Sequence, residues 1–291
     1  WFGNKVTCGS WKDIWLNEGF ATYLSGLVVE NIDGNNSFIN WKQSLNNSIT
    51  SQSGGAVYLT DTDTLSVSRI FSGRLSYNKG AMVTHMLRKK LGDATFFQGM
   101  QNYLSDTNLS YDYAKTEDYK TVMETTSGQD LTEFFNDWIY NQGYPSYNIE
   151  WNQPNASQIR ISISQTQSHP SVSYFEAPVP IRVLGTSGEV LDLVLNNTTN
   201  NEMFLRAVTF PVDTILFDPE SDLISRNNTV SLSVNAFELD NQFTIYPNPT
   251  SQEITITKPE SLTVHKINVY NTLGQLLITT PWSNTVDLST L

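Results

Sequence analysis

The chain has 291 residues, 39% of them hydrophobic and 16% charged, and its 17 Lys and Arg against 29 Asp and Glu leave a formal net charge of −12. That apolar content builds real cores and excludes a wholly disordered chain, while the acidity argues against nucleic acid, whose phosphates are gripped by Lys and Arg. No run approaches roughly 18 apolar residues, so no transmembrane segment is expected, and a single cysteine, Cys8, excludes an internal disulfide framework.

The first half has a helical period. From Asp13 to Glu30, apolar residues fall at Leu16, Phe20, Tyr23, Leu24, Leu27 and Val28, with Asp13 as expected N-cap and Gly34 as stop. Glu18 lies in the first turns of this helix, on a stripe with Ala21, Thr22 and Ser25 that is small enough for another element to approach. By its residues alone, an acid there serves the positive end of the helix dipole. A second helix is expected over Lys79–Leu91, with Arg88, Lys89 and Lys90 in its last turn and Gly92 behind it. Two shorter helices follow near Thr95–Leu104 and Thr116–Thr125. A last one starts at Asp130 in the sequence D-L-T-E, a capping-box variant, and stops at Gly143 before Pro145.

Beyond Pro145 the period becomes two. QIRISISQ places Ile159, Ile161 and Ile163 on one face, and APVPIRVLG, EVLDLVLN, EMFLRAVTF and DTILFD follow between turn-rich stretches. This pattern predicts an antiparallel β-sandwich rather than a parallel α/β sheet. After a looser stretch, FTIYPNPTSQEITIT and TVHKINVYNTLGQLLITT give further short strands bounded by Pro, Asn or Gly.

The opening stretch, WFGNKVTCGSWKDIWLNEGFAT, resembles the zinc aminopeptidase N family of metallopeptidases. In that family an H-E-x-x-H helix is followed by 18 residues and then by a glutamate within W-L-N-E-G-F-A. Here W-L-N-E-G-F-A stands at Trp15–Ala21, preceded by Trp11 and Asp13 of a W-x-D-x-W pattern. The resemblance implies a zinc site with two histidines upstream of Trp1 and Glu18 as third ligand. The H-E-x-x-H glutamate would be the general base, and an upstream G-x-M-E-N element would hold the substrate amine. It also implies that Tyr77, in the S-Y-N-K-G stretch at Ser76–Gly80, stabilises the tetrahedral oxyanion; the plain alternative is an aromatic packed at a helix start. Phe134–Pro145, FFNDWIYNQGYP, resembles the family's closing segment of the catalytic domain. Asn17, Asp13 and Lys12 are possible supports of the metal, though capping and surface roles explain them equally well. His85, His169 and His265 have no ligand spacing and read as packed or surface residues.

Tyr246–Pro249, Y-P-N-P, and Val269–Gln275, V-Y-N-T-L-G-Q, resemble the type A sorting domain of the type IX secretion system of Bacteroidetes. That resemblance implies export across the outer membrane by the type IX machinery, to a secreted or cell-surface location. The expected organisation is a multidomain chain. Residues 1–144 would be the helical half of a thermolysin-like catalytic domain, 145–232 an antiparallel β-sandwich, 233–242 a linker and 243–291 a small truncated β sorting domain. The chain starts at Trp1 and ends at Leu291 in mid-pattern, as expected for a piece of a longer protein. The implied activity of the parent is zinc-dependent hydrolysis of N-terminal residues from peptides with a free N-terminus, the piece alone being inactive. The alternative is a surface binding or adhesion protein on a degenerate peptidase scaffold.

Overall fold

A computed structural model describes residues 1–233, 243–250, 252–258 and 263–289. Its contacts separate two compact units, Trp1–Leu232 and Ser233–Leu291. The expected linker at 233–242 falls, after Ser233, outside the described residues. No described helix is long and apolar enough to cross a membrane.

The first unit opens with strand β1 (Val6–Cys8), which pairs in parallel with β2 (Asp112–Ala114). Helix α1 (Trp15–Asp33) follows and ends at Gly34, whose φ of 84° suits a residue without a Cβ. Asp13 does not cap it. Its buried carboxylate instead accepts from the Thr116 amide at 2.9 Å and the Thr116 hydroxyl at 2.8 Å, so it serves a helix a hundred residues downstream. The buried side of α1 carries Trp15, Leu16, Gly19, Phe20, Tyr23 and Gly26, whereas Ala21, Leu24, Ser25 and Val28 are exposed. Close approach thus happens along the glycines, not along the Ala21–Ser25 stripe.

Helix α2 (Asn35–Ile49) was hidden in an Asn- and Ser-rich stretch. It buries Phe38, Lys42, Leu45 and Ile49, an amphipathic stripe in which a lysine takes one core position. Its Trp41 ring lies where a Cβ on Gly26 would stand. The short helix α3 (Val67–Ile70) leads into a seven-residue π-helix, Gly73–Lys79, which runs without a break into α4 (Gly80–Leu91). Then come α5 (Asp93–Ser105), α6 (Thr116–Ser127), α7 (Thr132–Phe135) and a second π-helix, Asn136–Tyr140. Asp130 does accept from a helix-start amide, that of Thr132 at 2.8 Å. Phe20, Tyr103, Tyr119 and Phe135 form the aromatic centre of this layer.

Seven strands complete the unit: β3 (Pro145–Asn155), β4 (Gln158–Gln167), β5 (Ala177–Gly185), β6 (Val190–Asn197), β7 (Glu202–Ala207), β8 (Val212–Phe217) and β9 (Thr229–Leu232). They form two sheets, ordered β7-β4-β3-β9 and β6-β5-β8. Ile149, Ile161 and Ile163 of the first and Val179, Ile181 and Val183 of the second belong to one buried cluster, shared with the helices. The expectation of wholly antiparallel strands is corrected at one edge: β9 runs parallel to β3, with Ile149 opposite Val230. Parallel neighbours cannot be joined by a hairpin, and 73 residues separate the pair (Asn155 to Thr229, 229 − 155 − 1 = 73), so local pattern carries no trace of it.

The second unit contains β10 (Thr244–Tyr246), β11 (Glu253–Thr257), β12 (Lys266–Tyr270), β13 (Leu276–Pro281) and β14 (Thr285–Asp287). Antiparallel β10-β11-β14 and the β12-β13 hairpin bury little beyond Ile256 and Val286, as suits a unit this small. Gly274, with φ of 80°, turns the hairpin.

Candidate functional site

Glu18 and Tyr77 are 59 positions apart in sequence and meet in space. Glu18 sits in the first turn of α1, and Tyr77 in the π-helix that precedes α4. The crossing of these elements is set by two glycines, Gly19 next to Glu18 and Gly80 three residues after Tyr77, at the start of α4. A Cβ built on Gly19 would lie 3.0 Å from the backbone of Gly80, and one on Gly80 would lie 3.1 Å from Gly19 Cα. Backbone touches backbone there, which only glycine permits.

The π-helix presents Tyr77 through several anchors. The Tyr77 amide donates to the Ser72 carbonyl, five residues back, at 3.3 Å, the spacing that defines the wider turn. Asn78 Nδ2 donates to Ser48 Oγ on α2 at 3.0 Å. Lys79 is buried, and its Nζ donates to the carbonyls of Gly55 at 3.0 Å and Gly143 at 3.3 Å. No carboxylate neutralises it among the described residues. Burial, followed by the charges of Arg74 and Arg69, brings its pKa down to about 7.

The Tyr77 phenol is pushed up by burial, and further by the charge of Glu18 and a hydrogen bond to its carboxylate. Since the carboxylate accepts, the phenol O–H is the donor and stays protonated at neutral pH. Glu18 itself is half-buried and forms no ion pair among the described residues. A half-buried carboxylate beside a neutral hydroxyl has the donor chemistry of a metal ligand. Among the described residues no three His, Cys, Asp or Glu side chains gather to hold a metal.

The proposed supports of the metal are otherwise engaged. Asn17 Oδ1 accepts from the Cys8 amide at 3.1 Å, Asp13 holds Thr116, and Lys12 pairs with Asp61 at 2.7 Å. Cys8 is half-buried, and burial raises its thiol pKa, which makes it a poor nucleophile. His85 is buried beside Asp222, and His169 hydrogen-bonds Ser171 Oγ at 3.0 Å. Sequence reasoning singled out Glu18 and Tyr77, which the fold brings together, but missed the anchoring of Tyr77. The glycines in both motifs were its visible signal, whereas the two carbonyls held by Lys79 lie 24 and 64 residues away and left none.

Comparison with known proteins matches two stretches of the chain. The model of the peptidase family M1 domain matches residues 1–138, and that of the secretion system C-terminal sorting domain matches residues 244–291. Tricorn protease-interacting factor F2 of Thermoplasma volcanium is 29% identical over 228 residues, which is 72% of this chain and 28% of that protein. Aminopeptidase M1-A of Oryza sativa subsp. japonica is 35% identical over 156 residues, 52% of this chain and 17% of that protein. The chain therefore spans less than a third of the length of either relative. Among solved structures, that of Legionella pneumophila aminopeptidase A in complex with aspartic acid shares the fold, with a TM-score of 0.62 and 17% identity, over 81% of this chain and 26% of that one. The chain is thus built from a domain of peptidase family M1, over residues 1–138, and a secretion system C-terminal sorting domain, over residues 244–291.

Proposed function

We propose that this chain supplies part of the active site of an exported zinc aminopeptidase, with Glu18 as a metal ligand and Tyr77 as the oxyanion donor. The observation that carries the reading is the meeting of these two side chains across the Gly19–Gly80 contact. Bound zinc would supply Lewis acidity and lower the pKa of a water. Glu18 would hold it from the rigid first turn of α1. Tyr77 would donate its phenolic hydrogen bond to the scissile carbonyl oxygen as negative charge grows there, a charge-assisted bond stronger than the one made to the neutral carbonyl. The pinned π-helix keeps that donor in place, so little reorganisation accompanies reaction. The substrates would be peptides with a free N-terminus, and the sorting unit would direct export by the type IX machinery to the cell surface or beyond. The 291 residues alone, with one metal donor, are expected to hold zinc poorly and to turn over no substrate.

The test needs a protein that joins this chain to an H-E-x-x-H helix. There Glu18→Gln should lower zinc occupancy sharply. Tyr77→Phe should leave zinc bound and reduce kcat by about 10²-fold, the usual cost of one oxyanion donor. Unchanged turnover in Tyr77→Phe would remove that residue from the mechanism.

A further inference from the structure

Helix α2 is gripped from two sides. On one side it meets the segment between β8 and β9 at points four residues apart. Lys42 Nζ pairs with the Asp222 carboxylate. Asn46 Nδ2 donates to the Ser225 carbonyl at 2.9 Å, and Asn46 Oδ1 accepts from the Ser225 amide at 3.3 Å. Arg226 Nη1 donates to the Thr50 carbonyl at 2.9 Å. On the other side, Arg74 Nη1 donates to the Ile49 carbonyl and Asn78 Nδ2 to Ser48 Oγ, each at 3.0 Å. Arg74 and Asn78 stand on the π-helix with Tyr77 between them. Helix α2 has no basic residue in its last turn, and its end carbonyls lack partners within the helix. They are served from outside, Ile49 by Arg74, and Thr50 by Arg226 and the Tyr144 hydroxyl at 3.0 Å.

The 222–226 segment is itself fixed. Asp218 accepts from the amides of Asp222 at 2.7 Å and Leu223 at 3.0 Å, and the Arg226 amide donates to the Pro145 carbonyl at 3.3 Å. Ser221 and Asn227, on either side, hold left-handed φ values of 57° and 56°, which non-glycine residues keep only where their surroundings enforce them. We infer that Asn46 and Arg226 are positioning residues for Tyr77, carrying the hold of this segment through the C-terminal end of α2 to the π-helix that presents the phenol. Asn46 precedes Ser48 by two residues, and the acceptor of Arg226 follows it by two, so both lie within about one helical turn of the contacts made by Asn78 and Arg74. An oxyanion donor depends on direction, and a displacement of about 1 Å can cost about 10²-fold in rate. That turnover needs Tyr77 so placed rests on the peptidase reading; that the segment holds Tyr77 does not.

The 291-residue chain tests the hold directly. With ring-labelled tyrosine, the NMR signal of the Tyr77 hydroxyl-bearing carbon, assigned by its loss in Tyr77→Phe, reports the hydrogen bond to Glu18. Glu18→Ala marks the position of that signal without the bond. Asn46→Ala and Arg226→Gln should each move it toward that position, while Tyr103 and Tyr119, in the aromatic centre, keep theirs. Arg226 is exposed, so its replacement leaves the core closed, and Arg226→Lys, which still donates to the Thr50 carbonyl, should restore the parent signal. No movement of the Tyr77 signal in either variant, or equal movement of all three tyrosines, would overturn the inference. In the protein joined to an H-E-x-x-H helix, each variant should lower kcat by about tenfold or more at unchanged zinc occupancy, and add little once Tyr77→Phe is present. Full turnover in Asn46→Ala and Arg226→Gln beside a slow Tyr77→Phe rejects the positioning role alone. Unchanged turnover in Tyr77→Phe rejects the peptidase role of that residue, and the tyrosine signals still decide whether the segment holds it.

Discussion

The His85 imidazole lies between the Tyr23 hydroxyl, 3.2 Å from Nδ1, and the Asp222 carboxylate, 2.8 Å from Nε2. Tyr23 donates to Nδ1 and Nε2–H donates to the carboxylate, so a neutral ring satisfies both partners. Burial lowers its pKa to about 4; the Asp222 hydrogen bond opposes this shift and the Lys42 charge adds to it. Burial alone would raise the Asp222 carboxyl, but the His85 hydrogen bond and the Lys42 charge hold it well below the usual range. Because the folded pKa of His85 lies below the ordinary 6.5, the unfolded chain binds more protons between pH 6.5 and 4. The stability contributed by neutral His85 is present above pH 6.5 and is lost as the pH falls to 4, by about 3 kcal/mol. Asp218, raised by burial to about 7, acts oppositely: its contribution is present at low pH and is lost as the pH rises through 7. The His85 effect is therefore read as a difference. Between pH 6.5 and 4, unfolding free energy should fall more steeply in the parent chain than in His85→Gln, and NMR should show the ring titrating near pH 4. An ordinary midpoint would mean that the ring is not held neutral. The sequence showed this histidine only as one without ligand spacing, since Asp222 lies 137 positions away.

Elements were legible where apolar period and stop signals agreed. Gly34 and Gly92, both with positive φ, end α1 and α4 where the sequence places their stops. Helix α2 was not legible, because Lys42 interrupts its Phe38–Leu45–Ile49 stripe and makes sense only against Asp222. Both π-helices were invisible too, since the wider turn answers to partners distant in sequence. The Glu18–Tyr77 pairing was readable as two motifs, but the crossing that unites them rests on glycine contacts. Those contacts predict an order among three substitutions. Gly19→Ala and Gly80→Ala each drive a Cβ into backbone at 3.0–3.1 Å, and backbone cannot swing aside. Each should cost about 1–3 kcal/mol, the range for overpacking. Gly99→Ala in α5 meets Met123 Sδ at 2.5 Å, a flexible side chain, and gains helix propensity, so it should be nearly neutral. Urea unfolding ranks them, and a Gly99→Ala cost equal to that of Gly19→Ala would show that the backbone contact is not special.

For the first unit as a whole, the decisive residues are those that cross Pro145. Asp222, in the segment between β8 and β9, receives Lys42 from α2 and pairs with Lys89 from α4 at 2.9 Å. Nearby, Asn46 Nδ2 donates to the Ser225 carbonyl and Arg226 Nη1 to the Thr50 carbonyl, each at 2.9 Å. The Trp138 and Phe175 rings pack with centroids 4.6 Å apart. The change of sequence period at Pro145 marks where helices give way to strands, but these contacts make both layers one compact unit ending at Leu232. Removing everything after Tyr144 would strand Lys42, only 1% exposed, without its counterion. Breaking one side of a buried pair costs about 3–5 kcal/mol, a large part of a domain's total stability of roughly 5–15 kcal/mol. The same cut exposes the helical face of the shared apolar cluster. Residues 1–144 alone should therefore lack a cooperative thermal transition and a near-ultraviolet circular dichroism signal, while residues 1–232 show both. A cooperative melt from residues 1–144 would mean that the helical layer is stable by itself and that Asp222 only orients the sheets upon it.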